Sequence, residues 1–250
     1  MSDLIVGRNP VREALKSGRE IDTIFLQDSA EGSVGEILRL AKTARVPIKK
    51  VPKKRLDEMI RMQAEGEAMP HQGVAARVAS VAYQTLEDVF LLAEQKGEAP
   101  FLIGLDGIED PHNLGAIVRS AEAFGAHGVV IPKRRSTGMT AVAAKAASGA
   151  QEYIPIVRVG NLAQTIEEVQ KRGVFVAAAD MAGASLSKSN LKGAMMLIIG
   201  AEGKGVSRLV KEKADFLVRI DMKGEIASLN ASAAAAILLY EKNRQDQKGE

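Results

Sequence analysis

Short apolar runs alternate with helix-like patterns along the first 80 residues. The runs predict strands at residues 4–6, 23–27 and 48–51, and a closing strand after His71. Apolar residues at helical spacing predict one helix after Asn9-Pro10 and two more over 34–44 and 56–62. Asn9 matches the preference for a helix N-cap, with Pro10 in the first helical position. Strands that alternate with helices predict a small α/β domain over residues 1–80.

A second alternating series begins at Phe101. Its predicted strands are 101–105, 128–131, 153–157, 174–179, 195–199 and 216–220, and its predicted helices are 114–124, 140–148, 162–171, 206–213 and 229–244. This order predicts an α/β fold over residues 100–250, with a mostly parallel sheet and helices on both faces. Residues 81–99 are charged and helical in pattern. They are predicted to be a linker because a Gly-Glu-Ala-Pro turn closes them.

Composition narrows the possible chemistry. The chain has no cysteine, which excludes disulfides, thiolate metal sites and cysteine nucleophiles. Its three histidines, His71, His112 and His127, do not have the spacing of a metal motif, so no metal is expected. No signal-peptide pattern is present, and no apolar run reaches about 18 residues. We therefore expect a cytoplasmic protein without membrane contact.

The net charge of +3 is unevenly distributed. Residues 1–80 carry 14 Lys/Arg and 11 Asp/Glu, whereas the remaining residues carry 20 of each. The segment 45–55 holds six basic residues and no acidic one. Such a run is typical of contact with nucleic-acid phosphates. It is equally typical of a solvated edge strand that lysines protect from further pairing.

One polar stretch that could carry chemistry follows the predicted strand at 101–105. Asn113 is placed to cap the next helix, whose apolar residues face the sheet. Gly115, Arg119 and Glu122 should therefore face away from the sheet. Arg119 either serves a site near the carboxyl end of the strand or forms an exposed i,i+3 pair with Glu122.

Two glycine-bearing loops follow the last two predicted strands. The loop Gly200–Gly205 matches neither the dinucleotide-binding fingerprint nor the P-loop, and its Glu202 favours a positively charged ligand over an anion. Its alternative interpretation is a tight turn. The loop 221–228 leads into the last helix, which Ser228 is predicted to cap and whose alanines at 233–236 predict a close packing partner. Ligands gather beyond the carboxyl ends of strands in such sheets, so both loops predict a ligand site.

These stretches together resemble the three motifs of the SpoU (TrmH-type) branch of the SPOUT RNA 2′-O-ribose methyltransferases. Matching positions are Asn113, Arg119 and Phe124-Gly125 in the first motif, Gly200–Gly205 in the second, and Gly224 with Ser228-Leu229-Asn230 in the third. Ala231 and Ala233 depart from the family, where valine is more usual. The first 80 residues resemble the family's substrate-binding domain, a fold related to RNA-binding ribosomal proteins, and His71-Gln72-Gly73 resembles its closing turn.

The resemblance implies a cofactor, a topology and a set of site residues. It implies S-adenosylmethionine as the methyl donor, a deep trefoil knot formed by the last two loops and the terminal helix, and a homodimer. The residues implied to hold the cofactor are Ala179, Gly200, Ile220, Met222 and Leu229. The residues implied to act in catalysis are Arg119, Asn113, Glu202, Ser228 and Asn230.

Arg119 is proposed in the family to act as the base, but an arginine is effectively always protonated. We therefore expect Arg119 to bind the adjacent phosphate or to stabilise the developing alkoxide. The resemblance also implies that Arg119 acts across the dimer interface, in the site of the partner chain. Asn113 and Asn230 are expected to orient the ribose or the loops. Ser228 is expected to contact substrate, and Glu202 to hold Arg119 in place.

The resemblance favours an enzyme that methylates the 2′-oxygen of a guanosine ribose in large-subunit (23S) rRNA. The candidate RNA-binding residues are Arg8, Arg12, Lys53, Lys54, Arg55, His71, Lys133, Arg134 and Arg135. Alternatives of the same class are a tRNA ribose methyltransferase and an enzyme that protects rRNA from an antibiotic. A non-enzymatic RNA-binding or assembly factor is a further alternative, although it would not need the catalytic set. A Rossmann dehydrogenase is disfavoured, because no G-x-G-x-x-G follows a predicted strand.

Overall fold

The computed structural model describes residues 4–28, 34–63, 70–225 and 228–247. The chain divides into two compact units, Met1–Ala82 and Tyr83–Glu250. None of the helices in the described ranges is long and apolar enough to cross a membrane. Ile226 and Ala227, which belong to the loop predicted at 221–228, lie outside the described residues.

The first unit is a small sheet with helices on both faces. Its strands are β1 (Leu4–Val6), β2 (Ile21–Gln27), β3 (Ile48–Val51) and β4 (Val74–Val78), and its helices are α1 (Arg8–Lys16), α2 (Val34–Thr43) and α3 (Lys53–Gln63). The strand order is β1-β4-β2-β3, with β4 antiparallel to both of its neighbours and β3 parallel to β2. Ile24 and Leu26 pack with α1 and α2, whereas Phe25 packs with α3. This alternation along β2 covers both faces of the sheet.

α1 begins one residue earlier than Asn9, so the predicted N-cap is wrong. Gly7 is the N-cap, with φ 98, and Asn9 lies inside the helix. The N–H of Gly7 donates to Val74 O at 3.0 Å, which fixes the turn directly after β1. Because glycine adopts this positive φ without strain, the helix starts as soon as the strand ends.

The second unit is built on a parallel sheet. Its strands are β5 (Phe101–Asp106), β6 (Gly128–Pro132), β7 (Ile156–Val159), β8 (Phe175–Ser185), β9 (Met195–Gly200) and β10 (Phe216–Arg219), and its helices are α4 (Leu86–Lys96), α5 (Pro111–Ala123), α6 (Ala141–Ala147), α7 (Leu162–Lys171), α8 (Arg208–Lys213) and α9 (Ala231–Gln247). The order is β10-β8-β9-β5-β6-β7, and every neighbouring pair is parallel. The predicted α/β class with a parallel sheet is confirmed.

Both faces of this sheet are covered. Met196 and Ile198 of β9 pack in a core with residues of α4, α7 and α8. Met195, Leu197 and Ile199 point to the opposite face and are buried as well. α5 and α9 pack against each other, and α9 also contacts β9. A sheet buried on both faces explains why its strands read as continuous apolar runs in the sequence.

α4 lies within the segment 81–99, whose pattern predicted a helix. Thr85 and Asp88 form a capping box that starts the helix, and Gly97 ends it in the left-handed conformation at φ 67. Val89 is fully buried in the core of the second unit. The part of this segment that forms α4 therefore packs in the core of the second unit.

Two further helix starts differ from prediction. α5 is capped by Asp110, whose carboxylate accepts the His112 N–H at 3.0 Å, and Pro111 opens the helix. Asn113 therefore lies within the first turn. α9 begins at Ala231, and the Asn230 side chain accepts the Ser232 N–H at 2.9 Å, so Ser228 is not the cap.

β8 extends beyond its predicted end at residue 179 and carries an excursion. Leu217 of β10 pairs with Ala178, but Val218 pairs with Ala184, so residues 179–183 have no partner in the register with β10. A Cβ at Gly183 would lie 2.5 Å from the backbone of Leu217 and Val218. Glycine lets the excursion return to the sheet, because only a residue without a side chain fits there.

Gly115 is buried between α5 and α6 instead of facing solvent. A Cβ at this position would clash with the Ala143 carbonyl oxygen and lie 2.9 Å from the Ala147 backbone nitrogen. The two helices therefore pack backbone to backbone at this point. This contact fixes α6 against the helix that carries Asn113 and Arg119.

We expect Gly115→Ala to lower the free energy of unfolding of the second unit by about 1–3 kcal/mol, because the added methyl group forces α5 and α6 apart. Chemical denaturation followed by circular dichroism measures this change. Gly160→Ala is the control, because no atom of the described residues lies within 4 Å of a Cβ built there. Equal stability of the two variants would contradict the packing argument.

Candidate functional site

A cavity of about 460 Å³ opens at the carboxyl ends of β8, β9 and β10. It lies where the resemblance places the cofactor. Its lining includes all five residues implied to hold the cofactor, namely Ala179, Gly200, Ile220, Met222 and Leu229. Glu202 and Ser228 of the implied catalytic set also line it. The structure therefore brings these seven residues together, although they come from four separate segments of the chain.

The loop after β9 forms one wall of this cavity by folding back on its own strand. A Cβ at Gly200 would clash with the backbone of Gly205 and Val206. The Gly205 N–H donates to Ala201 O at 2.8 Å and closes the turn. Gly203 and Gly205 have φ values of 79 and 64, which favour glycine. The glycines of this loop thus serve close backbone approach and tight turning together.

Two polar contacts fix the segments on the opposite side of the cavity. Asp180 accepts the Ala182 N–H at 2.9 Å and pairs with Lys211 of α8 at 3.0 Å. The Ala182 N–H, followed by the Lys211 ammonium, holds the pKa of Asp180 below its usual value. Asp180 is therefore an ionised carboxylate on the wall of the cavity at neutral pH.

Asp221 joins the end of β10 to the end of β8. It accepts hydrogen bonds from the Ser185 hydroxyl and from Arg219 Nε. Arg219 Nη1 also donates to the Gly183 carbonyl oxygen at 3.0 Å. The Ser185 hydrogen bond, followed by Arg219, lowers the pKa of Asp221. These contacts hold the excursion of β8 against the strand that feeds the 221–228 loop.

A second cavity, of about 640 Å³, borders the same glycine loop. It is formed by the turn after β5, by Asn113, by Arg135 and by the glycine loop with Ser207. Four residues of this loop line both cavities, namely Ala201, Glu202, Lys204 and Gly205. The glycine loop is therefore a shared wall of the two cavities.

Asn113 and Asn230 are in direct contact, although 117 residues separate them in the chain. Asn230 Nδ2 donates to Asn113 Oδ1 at 2.9 Å. Asn230 uses its own Oδ1 to cap α9 through the Ser232 and Ala233 N–H groups, at 2.9 and 3.4 Å. The pair therefore ties the first turn of α5 to the start of α9, next to both cavities.

Arg119 lies away from these residues. It is exposed in the second half of α5, and its Nη1 donates to Ser148 Oγ at 3.4 Å. Among the described residues it contacts neither Glu202, its expected partner, nor Glu122, its alternative partner, and it lines neither cavity. The helix begins at Pro111, three residues before its predicted start, so Arg119 lies in its third turn and not near its start.

Asp106 is a residue of the site that sequence analysis missed. Its carboxylate accepts the Ser207 N–H at 2.7 Å, across 101 residues of sequence. Ser207 is the N-cap of α8, but its own side chain makes no capping hydrogen bond. Asp106 thus supplies the cap and fixes the end of the glycine loop. Its only sequence signal was an aspartate directly after a buried strand.

The candidate RNA-binding residues of the first unit fall into two groups. Lys53, Lys54 and Arg55 open α3 and are exposed, although Arg55 is 3.4 Å from Glu58. Other members are engaged within the unit. Arg8 Nε donates to Gln72 O at 2.9 Å, and Arg12 lies 3.2 Å from Glu13 and 3.8 Å from Glu36.

His71 has a structural role in this unit. Its Nδ1 accepts the Gly73 N–H at 2.9 Å, so the ring proton is assigned to Nε2, which lies 2.9 Å from Asp57 Oδ1. Gln72 and Gly73 both have positive φ, at 52 and 78. The ring therefore holds the turn into β4, and both of its nitrogens are engaged in doing so.

Lys133, Arg134 and Arg135 follow β6 in the second unit. Arg134 and Arg135 are exposed. Arg135 lines the 640 Å³ cavity, whereas Lys133 and Arg134 are not among the described residues that line it. The structure therefore separates Arg135 from two cations that were predicted to have the same RNA-binding role.

Two family models match the sequence. The model described as the SpoU rRNA Methylase family matches residues 100–240. The model described as RNA 2′-O ribose methyltransferase substrate binding matches residues 4–84. Together they span both compact units.

Known proteins similar to this chain agree with these matches. YacO of Bacillus subtilis (strain 168), named a TrmH family tRNA/rRNA methyltransferase, is 47% identical over 246 residues, which cover 97% of this chain and 96% of YacO. The structure of the SpoU methyltransferase AviRb from Streptomyces viridochromogenes, in complex with the cofactor AdoMet, has a TM-score of 0.61 and 25% identity and covers 99% of this chain and 91% of its own. An AdoMet-bound rRNA methyltransferase from Sinorhizobium meliloti has a TM-score of 0.59 at 24% identity and covers 97% of this chain and 87% of its own. This likeness shows the shared fold.

Asp106→Ala should accelerate amide hydrogen exchange at Ser207 and in the glycine loop, because it removes the acceptor of the Ser207 N–H and leaves this backbone group without its partner, which costs about 1–3 kcal/mol. Asp106→Asn keeps an oxygen acceptor and should have a smaller effect. Exchange is measured by mass spectrometry on peptides covering 200–209. Asp110→Ala, which removes the cap of α5, should leave this segment unchanged. Unaltered exchange in Asp106→Ala would exclude Asp106 as the residue that positions the loop.

Proposed function

The chain belongs to the SpoU family of RNA methyltransferases, and on this basis we propose that it methylates the 2′-oxygen of a guanosine ribose in 23S rRNA. One observation carries the proposal: residues of all three family motifs meet around two adjoining cavities that share the Gly200–Gly205 loop. One cavity suits a cofactor, and the other leaves room for an acceptor beside it. The guanosine and the 23S rRNA come from the resemblance described above.

The methyl donor of the family is S-adenosylmethionine, and the 460 Å³ cavity suits it in size and in chemistry. Binding cavities for ligands of this size measure roughly 300–1,000 Å³. Ile199, Val218 and Leu229 supply apolar walls for a nucleobase. Asp180, an ionised carboxylate, and the side chain of Glu202 favour a cation. When bound, S-adenosylmethionine supplies an electrophilic methyl group on a sulfonium centre.

The residues of the chain orient the acceptor. Asn113 lines the larger cavity, and its hydrogen bond to Asn230 holds it against the start of α9. Ser228 lies on the wall of the smaller cavity and is exposed, so its hydroxyl is available to a ligand there. Glu202 belongs to both walls. Fixed polar groups of this kind lower a reaction barrier by positioning the reacting groups.

We propose that the protein acts as a homodimer and that Arg119 serves the site of the partner chain. Ala233, Ile237 and Tyr240 form an exposed, apolar stripe at helical spacing on α9, which is the helix that packs on α5. Exposed apolar surface on a helix favours a protein partner. A guanidinium outside its own cavities fits a role toward a second copy. The trefoil knot stays a prediction, which the close backbone approaches at Gly183 and Gly200 support.

We propose that the first unit binds RNA, with Lys53, Lys54 and Arg55 among its phosphate contacts. All three side chains are exposed at the start of α3, and the matching family model is described as substrate binding. Clustered lysine and arginine side chains attract the phosphate backbone without reading its sequence. A ribose methyltransferase of tRNA is the second candidate, because the name of YacO covers both RNA classes.

The proposal is tested by methyl transfer from radiolabelled S-adenosylmethionine to protein-free 23S rRNA, with bulk tRNA in parallel. Label at the 2′-oxygen of one guanosine of the rRNA is the expected result. Label in tRNA alone would preserve the chemistry and overturn the choice of RNA. Absence of label from rRNA, tRNA and assembled ribosomal particles would overturn the proposed activity.

Arg119→Ala should reduce kcat by roughly 10²–10³-fold, because a positioned charge that stabilises the transition state is lost. The affinity for S-adenosylhomocysteine should stay unchanged, since Arg119 lies outside the cofactor cavity. Lys145→Ala, an exposed cation on the neighbouring helix α6, is the control and should leave both quantities unaltered. Near-normal turnover of Arg119→Ala would remove this residue from the mechanism.

A further inference from the structure

The larger cavity lies at the point where the sheet changes direction. From β5 the chain proceeds to β6 and β7 on one side, whereas β9, β8 and β10 lie on the other. The cavity is lined by residues from the carboxyl end of β5 and from the loops that follow β5, β6 and β9. Ligands of parallel α/β sheets bind in the crevice at such a reversal of strand order. Topology alone therefore marks this cavity as a binding site.

Its polar lining contains groups that are engaged and groups that are available. Asp106 caps α8 and Asp110 caps α5, so both carboxylates have structural partners. Four charged side chains of the lining have no hydrogen-bond or ion-pair partner within the described part of the chain, namely Glu109, Glu202, Arg135 and Lys204. The available set thus combines two carboxylates with two cations.

Arg135 has a backbone conformation that its sequence does not favour. Its φ is 56, in the left-handed region that non-glycine residues seldom adopt. Gly107 lies beside it, and a Cβ there would stand 3.3 Å from Ala201 Cβ and 4.0 Å from the Arg135 carbonyl oxygen. Residues other than glycine that adopt the left-handed backbone conformation concentrate at functional sites, where the surrounding structure holds them in place. The conformation places Arg135, and not Arg134, in the lining of the cavity.

We propose that this cavity binds the acceptor nucleotide of the RNA, with Arg135 binding its phosphate and Glu109 accepting hydrogen bonds from its base. This proposal rests on the proposed function and assigns it a substrate site. The cavity shares its glycine-loop wall with the cofactor cavity, so a ribose held here lies next to the methyl donor. Asn113, also in the lining, is placed to contact that ribose.

The mixed charge of the lining selects a nucleotide over a simple anion. Free phosphate would meet the cations Arg135 and Lys204 but would leave the carboxylates Glu109 and Glu202 without a donor and would be repelled by them. A nucleotide satisfies both the cations and the carboxylates of the lining, because it carries a phosphate and a base with N–H donors. Guanine fits best, since its adjacent N1–H and N2–H groups match the two oxygens of one carboxylate. Uracil offers a single N–H between two carbonyl groups and leaves one carboxylate oxygen unpaired.

The test is a titration of guanosine 5′-monophosphate into the full-length protein, followed by nuclear magnetic resonance, with S-adenosylhomocysteine saturating the cofactor cavity. One nucleotide should bind per chain, and Arg135→Gln should weaken it about tenfold to a hundredfold, the usual effect of losing a charged hydrogen bond. Lys145→Gln removes an exposed cation of α6 that is not in the described lining, so this control should change the affinity less than twofold. Glu109→Gln should reduce the preference for guanosine over uridine 5′-monophosphate, whereas Glu122→Gln should not.

Two results would overturn the proposal. One is displacement of S-adenosylhomocysteine by the nucleotide, and the other is an equal loss of affinity in Arg135→Gln and Lys145→Gln. The Michaelis constant for RNA separates this proposal from the activity itself. If rRNA or tRNA is methylated but Arg135→Gln and Lys145→Gln have the same KM, the cavity assignment fails and the activity stands. If the nucleotide binds as described and no RNA accepts a methyl group, the activity fails and the binding site stands.

Discussion

The approach of the Gly205–Val206 backbone to Gly200 is the constraint on which both cavities depend. Because Gly200 has no side chain, the loop after β9 folds back on its own strand, and residues of this loop line both cavities. A side chain at this position would push the loop away from the strand and merge or close the two spaces. The excursion of β8 depends in the same way on Gly183, which lies against the backbone of β10.

Loops that are glycine-rich need outside contacts to hold one conformation, since glycine loses the most conformational freedom on folding. Here three polar side chains provide them from distant parts of the chain. Asp106 binds the Ser207 N–H, Asn230 binds Asn113, and Asp221 binds Ser185. Each contact joins a strand end or loop to a different element. The site is therefore fixed by a few long-range hydrogen bonds superimposed on a rigid parallel sheet.

The sequence predicted the strands and helices well because both cores bury regular apolar patterns. Ile48–Val51 and Leu162–Lys171 have the predicted bounds, and the cofactor residues implied by the resemblance all line one cavity, although their role stays a prediction. The errors arose where tertiary contacts decide. Asn9, Asn113 and Ser228 were each plausible caps, but Gly7, Asp110 and Asn230 lie where the chain turns. The preference of a residue type for the N-cap position cannot decide between candidates that are close in sequence, because the end of the preceding strand sets the position of the turn.

Long-range features were beyond sequence reasoning for a related reason. The five-residue excursion in β8 follows from its register with β10, and the burial of Gly115 follows from the approach of α6. Neither of these two features produces a periodic pattern in the sequence. Arg119, Arg134 and Arg135 likewise look similar as exposed cations, and only the fold places Arg135 in a cavity and Arg119 outside one.

Hydrogen exchange of the full-length protein, with and without S-adenosylhomocysteine, tests the cofactor cavity most directly. Amides in residues 200–205, 220–222 and 228–231, which contribute to the lining of the smaller cavity, should exchange more slowly in the complex. The loop at 133–136, outside that cavity, should be unaffected. Binding that protects other segments and leaves these three unchanged, or failure of the molecule to bind, would contradict the assignment.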